Sequence, residues 1–254
     1  MKWLSSPGTI TLADDTVHMW FILLDAGDDT YAICKNVLNA EELNRAQRYR
    51  FEAPRRRFVL TRALLRLLAG IYIQSSPPHI RFTHNQWGKP GINTTAGQRL
   101  EFNVSHSYDI ALLAFSRNRP LGIDVECMHA IPNVQNLVKE FFSEYEYLQF
   151  KELPQDQQLK AFFMTWTRKE AYIKGTGRGF SQPFRSFDVS IHPAVPAVLL
   201  NDHTDPTAVA SWKLMDISTL RNYAASAAIG EYHHQTCEVK GYRLAMSRDY
   251  ETLI

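Results

Sequence analysis

The sequence predicts a mixed α/β chain in which each half runs from helix into strands, and three observations predict it. Apolar residues fall at helical spacing in two long stretches, Arg56 to Tyr72 and Ala161 to Lys174. Short runs bounded by turn residues follow each stretch, the clearest being the alternating Leu121 to Glu126. With 254 residues, 45% hydrophobic and 21% charged, the chain can bury a substantial core, as one large or two small domains.

Taken in order, Val17 to Leu24 predicts a first strand, and Ala40 to Tyr49 and Arg56 to Tyr72 predict helices separated by a break at Pro54. Pro77 and Pro78 close that region. Arg81 to Thr83, Phe102 to Val104, Ile110 to Ser116 and Leu121 to Glu126 predict short strands. A turn at Arg117 to Pro120 would join the last two into a hairpin carrying Asp124. Helices follow at Val134 to Phe142, Ser143 to Glu152 and Ala161 to Lys174, with Gly175 as a natural stop. Ser186 to Ile191, Ala208 to Met215, Tyr223 to Ile229 and Glu238 to Tyr242 predict the remaining strands.

A net charge of +2 is too small to imply nucleic acid or membrane as a partner. The apolar run Leu67 to Ile73 is far too short to cross a bilayer, and Met1 to His18 lacks the apolar centre of a signal peptide. The expected location is the cytoplasm. Cys34, Cys127 and Cys237 are widely spaced with no C-x-x-C, so they predict neither a disulfide framework nor a zinc site.

In an extended Leu121 to Glu126, the apolar side chains share one face and Asp124 and Glu126 share the other. Two carboxylates that close raise each other's pKa unless a cation lies between them. Mg²⁺ suits such a pair because it takes one or two protein carboxylates and fills its octahedron with water and phosphate oxygens. The same pattern also describes a half-buried strand with a solvated acidic face. On the Ala161 to Lys174 helix, Phe162, Trp166 and Ile173 form one stripe, and Glu170 stands four residues before Lys174. A surface ion pair there would contribute only about 0.3–0.5 kcal/mol, and Arg168 and Lys169 read equally as an ordinary solvated face.

Eight arginines lie between Arg45 and Arg66. That density suits a nucleic acid, an acidic protein or a nucleotide phosphate, and also a plain solvated helix. Lys89, in a turn between Gly88 and Pro90, can reach a phosphate, and Ser105 and His106 end a strand where hydroxyl and imidazole can donate to one. The Ser-His pair invites a hydrolase reading, but no G-x-S-x-G elbow accompanies it.

Five segments in order, Trp87-Gly88-Lys89-Pro90, Phe102 to Ser107, Gly122 to Glu126, Phe141 to Glu146 and Trp166 to Lys174, resemble the Sfp-type 4′-phosphopantetheinyl transferases. The resemblance implies two similar α/β lobes packed side by side, with the ligand in the cleft between them. Residues 1–118 would carry the coenzyme A phosphate and adenine contacts, and residues 119–254 the metal-binding carboxylates and the catalytic helix. It implies transfer of the phosphopantetheine arm of coenzyme A to a serine of an apo acyl carrier protein or peptidyl carrier domain, leaving adenosine 3′,5′-bisphosphate.

On this reading Asp124, Glu126 and Glu170 hold Mg²⁺, Lys174 neutralises phosphate charge, and Glu170 or a metal-bound water accepts the serine proton. Glu146 is a further acidic candidate. Arg48 and Arg57 match the family's coenzyme A pattern best, with Lys89, Ser105 and His106 as further phosphate contacts. Two lobes in one chain imply a complete site in a monomer, and neither nucleic acid nor membrane is expected as a partner. Two rivals stand beside it: a metal-dependent pyrophosphate hydrolase using the same carboxylates on water, and a non-enzymatic module binding nucleic acid or acidic protein through the arginine-rich segment, in which Asp124 would play no part.

Overall fold

A computed structural model describes residues 2–7, 9–92, 99–217, 221–231 and 237–246. The first lobe begins with strands β1 (Trp3–Ser5) and β2 (Thr16–Leu23) and helices α1 (Asp28–Val37), α2 (Ala40–Gln47) and α3 (Glu52–Ile73). Strands β3 (Phe82–His84), β4 (Pro90–Ile92), β5 (Leu100–Ser107) and β6 (Ile110–Arg117) follow. The second lobe opens with β7 (Leu121–Cys127), then helices α4 (Val134–Phe141), α5 (Glu144–Lys151) and α6 (Gln155–Thr176). Strands β8 (Phe187–Val189) and β9 (Leu199–Asp202), helix α7 (Ala208–Ser211), and strands β10 (Trp212–Asp216) and β11 (Tyr223–Gly230) complete it, and β12 (Glu238–Ala245) follows.

The two lobes repeat one plan. Strand β2 with helices α1, α2 and α3 recurs in order as β7, α4, α5 and α6, and the sheet order β2-β6-β5 recurs as β7-β11-β10. The expected two-lobed α/β architecture is therefore present. Strand β12 pairs in parallel with β1 and β2, so the first lobe's sheet has the order β1-β12-β2-β6-β5. The expected division after residue 118 is thus not a clean cut in chain order, because β12 returns to the first sheet.

Strand β2 is buried on both faces because each face meets a different core. Trp20 and Ile22 pack with Leu64 and Leu68 of α3, while Val17, Met19 and Phe21 pack with Ile123 and Val125 of β7 and Ala227 of β11. The layers are helix, sheet, sheet, helix, with α6 lying on β7 and β11. Burial of this kind contributes roughly 25 cal/mol per Å² of apolar surface.

Each long helix is pinned by a buried ion pair to the short helix before it. Asn39 and Glu42 form a capping box at α2, and Glu42 also accepts from Arg66 of α3 at 2.7 Å. Ser143 and Glu146 do the same at α5, and Glu146 meets Lys169 of α6 at 2.7 Å with both side chains 0% exposed. Removing one member of such a buried pair typically costs about 3–5 kcal/mol.

Several expectations change. Pro54 does not separate two helices but sits in the first turn of α3, where a missing N–H leaves no bond unmade. Strand β7 does not form a hairpin with β6: β6 pairs with β2 and β5, whereas β7 pairs with β11. Its free edge turns to β5, whose alternate side chains replace backbone pairing. Asn103 Oδ1 accepts from Ile123 N–H at 2.9 Å, Ser105 Oγ from Val125 N–H at 3.3 Å, and Ser107 Oγ from Cys127 N–H at 3.0 Å. The predicted Ala208–Met215 strand is split into α7 and β10, and α1 was not foreseen.

Helix α6 ends at Gly177, whose φ of 70° is left-handed, rather than at Gly175. Gly175 instead permits close packing with Gly122. A Cβ on Gly122 would lie 2.1 Å from the Ala171 carbonyl oxygen and 2.2 Å from Gly175 N, both backbone atoms. This contact sets the distance between β7 and α6. Gly122→Ala should therefore lower the unfolding free energy by about 3 kcal/mol or more, the upper end of the overpacking range. Denaturant titration checks it against Gly91→Ala, whose Cβ meets only Thr83 Oγ1 at 3.5 Å and should be nearly neutral.

Candidate active site

Three elements converge where the lobes meet. Strand β7 presents Asp124 and Glu126 toward α6 because its apolar residues are taken by the sheet-to-sheet core. Helix α6 presents Glu170 and Lys174 one turn apart, and β5 presents Ser105 and His106. With Val104 and Trp166 these residues line a cavity of about 370 Å³. A larger cleft of about 570 Å³ shares Val104, His106, Glu170 and Lys174 with it and extends to Arg45, Arg62 and Trp87. That size lies within the usual range for small-molecule sites.

Asp124 is the centre of the cluster. It is 2% exposed, and its Oδ1 accepts from Lys174 Nζ at 2.6 Å and from Ser105 Oγ at 2.8 Å. Its Oδ2 is buried without a hydrogen-bond partner among the described residues. Burial and the Asp124 charge raise the pKa of Glu126, opposed by a hydrogen bond from Ser107. Burial also raises Glu170, with Lys174 opposing and Asp124 and Glu126 adding to the rise. The pKa of Lys174 goes up although burial alone would lower it, because Asp124, Glu170 and Glu126 all favour the ammonium form. The cluster is short of positive charge, and Lys174 supplies the part nearest Asp124.

The expected i, i+4 pairing of Glu170 with Lys174 is replaced by the Lys174–Asp124 pair, which joins α6 to β7. Ser105, expected to donate to a phosphate, gives its single proton to Asp124. Lys89 is not a free turn lysine. Its ammonium donates to the Leu121 and Gly175 carbonyls at 3.1 and 2.9 Å, and burial brings its pKa down to about 8. It still lines the larger cleft.

Arg48 and Arg57 do not line either cavity; Arg45 and Arg62 do. Arg57 instead pairs with Asp109 at 3.0 Å and lies over Tyr108, although its charge and that of Lys174, after burial, help lower the pKa of His106. Glu146 lies outside the site: it is wholly buried, holds Lys169 and accepts from Val189 N–H at 2.8 Å. Arg168 and Lys169 are fully buried rather than solvated, Arg168 being paired with Asp216 at 2.6 Å. Asn103, Ser107, Gln182 and Phe184 were not foreseen around the site. For Asn103 and Ser107 the period-two polar pattern with Ser105 was a readable signal.

A family profile described as the 4′-phosphopantetheinyl transferase superfamily matches residues 120–237, and one described as 4′-phosphopantetheinyl transferase, N-terminal, matches residues 25–118. The chain is 35% identical to the 4′-phosphopantetheinyl transferase HetI of Nostoc sp., over 92% of this chain and 95% of that one. The chain belongs to the 4′-phosphopantetheinyl transferase family. It is 32% identical to Sfp of Bacillus subtilis over 61% of this chain and 67% of that protein. It is 30% identical to the B. subtilis transferase ffp over 70% and 77%. This transferase accordingly moves the phosphopantetheine group of coenzyme A to a carrier protein.

The pKa directions give a stability test of the transferase. A carboxylate raised on folding contributes most below its unfolded pKa, and that contribution is lost as pH rises through the folded value. Glu126→Gln should therefore raise the melting temperature at pH 8 without divalent cations, and the gain should vanish near pH 4. Calorimetry at the two pH values checks this, and a lower melting temperature at pH 8 would contradict it.

Proposed function

We propose that the transfer runs by attack of a carrier serine hydroxyl on the β-phosphorus of coenzyme A, at a site where Asp124, Glu126 and Glu170 hold Mg²⁺. The observation carrying this reading is the buried, unpartnered Asp124 Oδ2 in a cavity also lined by Glu126 and Glu170, whose pKa values are raised. Among the described residues, no three His, Cys, Asp or Glu groups form a preformed metal cluster. The donor set nevertheless fits a hard cation that keeps water and phosphate ligands. When bound, Mg²⁺ would supply positive charge to the pyrophosphate.

The chain's own residues do the rest. Glu170 accepts the serine proton as the new phosphorus–oxygen bond forms and the bond to 3′,5′-ADP breaks. Glu170 lines both cavities, which puts its carboxylate beside the cleft assigned to coenzyme A. Lys174 neutralises phosphate charge, and His106, at the junction of the two cavities, donates to a phosphate oxygen. Arg45 and Arg62, with Lys89, supply positive charge along the coenzyme A cleft. Residues 1–118 thus give most of the coenzyme contacts and residues 119–254 the carboxylates, in a cytoplasmic enzyme acting as a monomer. Among the described residues no helix is long and apolar enough to cross a membrane.

The test is intact mass spectrometry of apo carrier proteins incubated with coenzyme A and Mg²⁺, which should show gain of one phosphopantetheine arm. Cleavage of coenzyme A with no carrier modified would favour the hydrolase instead. Glu170→Gln should lower kcat by about 10²–10⁴ at saturating Mg²⁺ and coenzyme A, the usual range for losing a general base. The acidic limb of its pH–rate profile should disappear as well. Full recovery with excess Mg²⁺ and an intact limb would make Glu170 a ligand only.

A further inference from the structure

We propose that Ser107 is a positioning residue that aims Glu126 of the second lobe into the site from the first lobe. Its hydroxyl is fixed from both sides. It accepts from Cys127 N–H at 3.0 Å and donates its one proton to Glu126 Oε2 at 3.1 Å. Ser107 is 8% exposed and lines neither cavity, so it acts on the reaction only through the carboxylate it holds.

The geometry repeats one step along the strand. Ser105 accepts from Val125 N–H and donates to Asp124 Oδ1, so each serine takes the N–H of the residue after the carboxylate it orients. Two serines two residues apart on β5 therefore match two acids two residues apart on β7, a register that the period of the extended chain supplies. Ser105 also meets Lys174 Nζ at 3.3 Å, which mixes its effects with those of the ammonium. Ser107 is the cleaner case.

Glu126 is half-buried beside Asp124, and burial and that neighbour both disfavour its charge. Without the Ser107 hydroxyl the side chain would be free to turn away from Asp124, and a cation site would have to recover that orientation on binding. The first lobe thus contributes to the second lobe's cation affinity without supplying a ligand. This inference rests on the cation site proposed above.

The experiment is titration of Mn²⁺ into the coenzyme-free protein, followed by loss of the free-ion paramagnetic resonance signal. Ser107→Ala should weaken Mn²⁺ binding about 10- to 100-fold, the effect usual for partners of metal ligands. Ser107→Thr, which keeps the hydroxyl, should restore it. In a Glu126→Gln background Ser107→Ala should cause no further loss. Should Ser107→Ala not fold, Ser107→Cys, a weaker donor, should bind Mn²⁺ more weakly than the unaltered protein. Unchanged Mn²⁺ binding in Ser107→Ala and Ser107→Cys, with binding lost in Asp124→Ala, overturns the positioning role alone. Unchanged binding in Asp124→Ala as well overturns the cation site and the positioning role together.

Discussion

The ion pair between Lys174 and Asp124 is the interaction on which the site depends. It joins the long helix of the second lobe to that lobe's edge strand, and Ser105 brings the first lobe's edge strand to the same carboxylate. The pair forms only because Gly122 and Gly175 let strand and helix approach to backbone contact. A methyl group on Gly122 would meet the helix backbone and push the two charges apart, whereas one on Gly175 would meet the Trp212 ring first. The spacing of the site is therefore set by two missing side chains.

The arrangement carries a cost that follows from its use. Three carboxylates share a partly dry junction with one ammonium, and two of them are pushed toward the neutral form. The imbalance is what the proposed cation site rests on, since a fully neutralised cluster would offer a cation little. The stability lost there is offset elsewhere, by the Glu42–Arg66 and Glu146–Lys169 pins and by the core between the two sheets. Each lobe repeats the pin, but only the second lobe builds the carboxylate cluster. Its counterpart to β7 in the first lobe, β2, carries the apolar run Met19 to Leu23 instead.

Much of this was legible in the sequence. The alternation from Leu121 to Glu126 correctly put both acids on one face, and helical spacing put Glu170 and Lys174 on another, since local periodicity survives folding. What failed depended on tertiary pairing. The Ser143-x-x-Glu146 spacing marks a helix cap, but nothing local shows that Glu146 also turns inward onto Lys169 rather than toward a ligand. The sheet change after β6 was hidden because a turn at Arg117 to Pro120 suits a hairpin equally well. The lobe repeat showed in the order of elements and in the family resemblance but not residue by residue, because matching positions such as Arg66 and Lys169, or Asn39 and Ser143, carry different residues. Lys89 misled for a related reason: whether a turn lysine meets water, phosphate or a helix carbonyl is decided by what packs on the turn.

The central claim is that the Lys174–Asp124 pair holds α6 against β7 within a cluster short of positive charge. It is tested most directly by a double-mutant cycle of Asp124→Asn and Lys174→Met, read as unfolding free energies without divalent cations. A coupling energy of about 2 kcal/mol or more, well above the roughly 0.2–1 kcal/mol of an exposed pair, is the predicted result. Additivity within about 0.5 kcal/mol would contradict the account, leaving the pair a contact that neither joins helix to strand nor tunes the site.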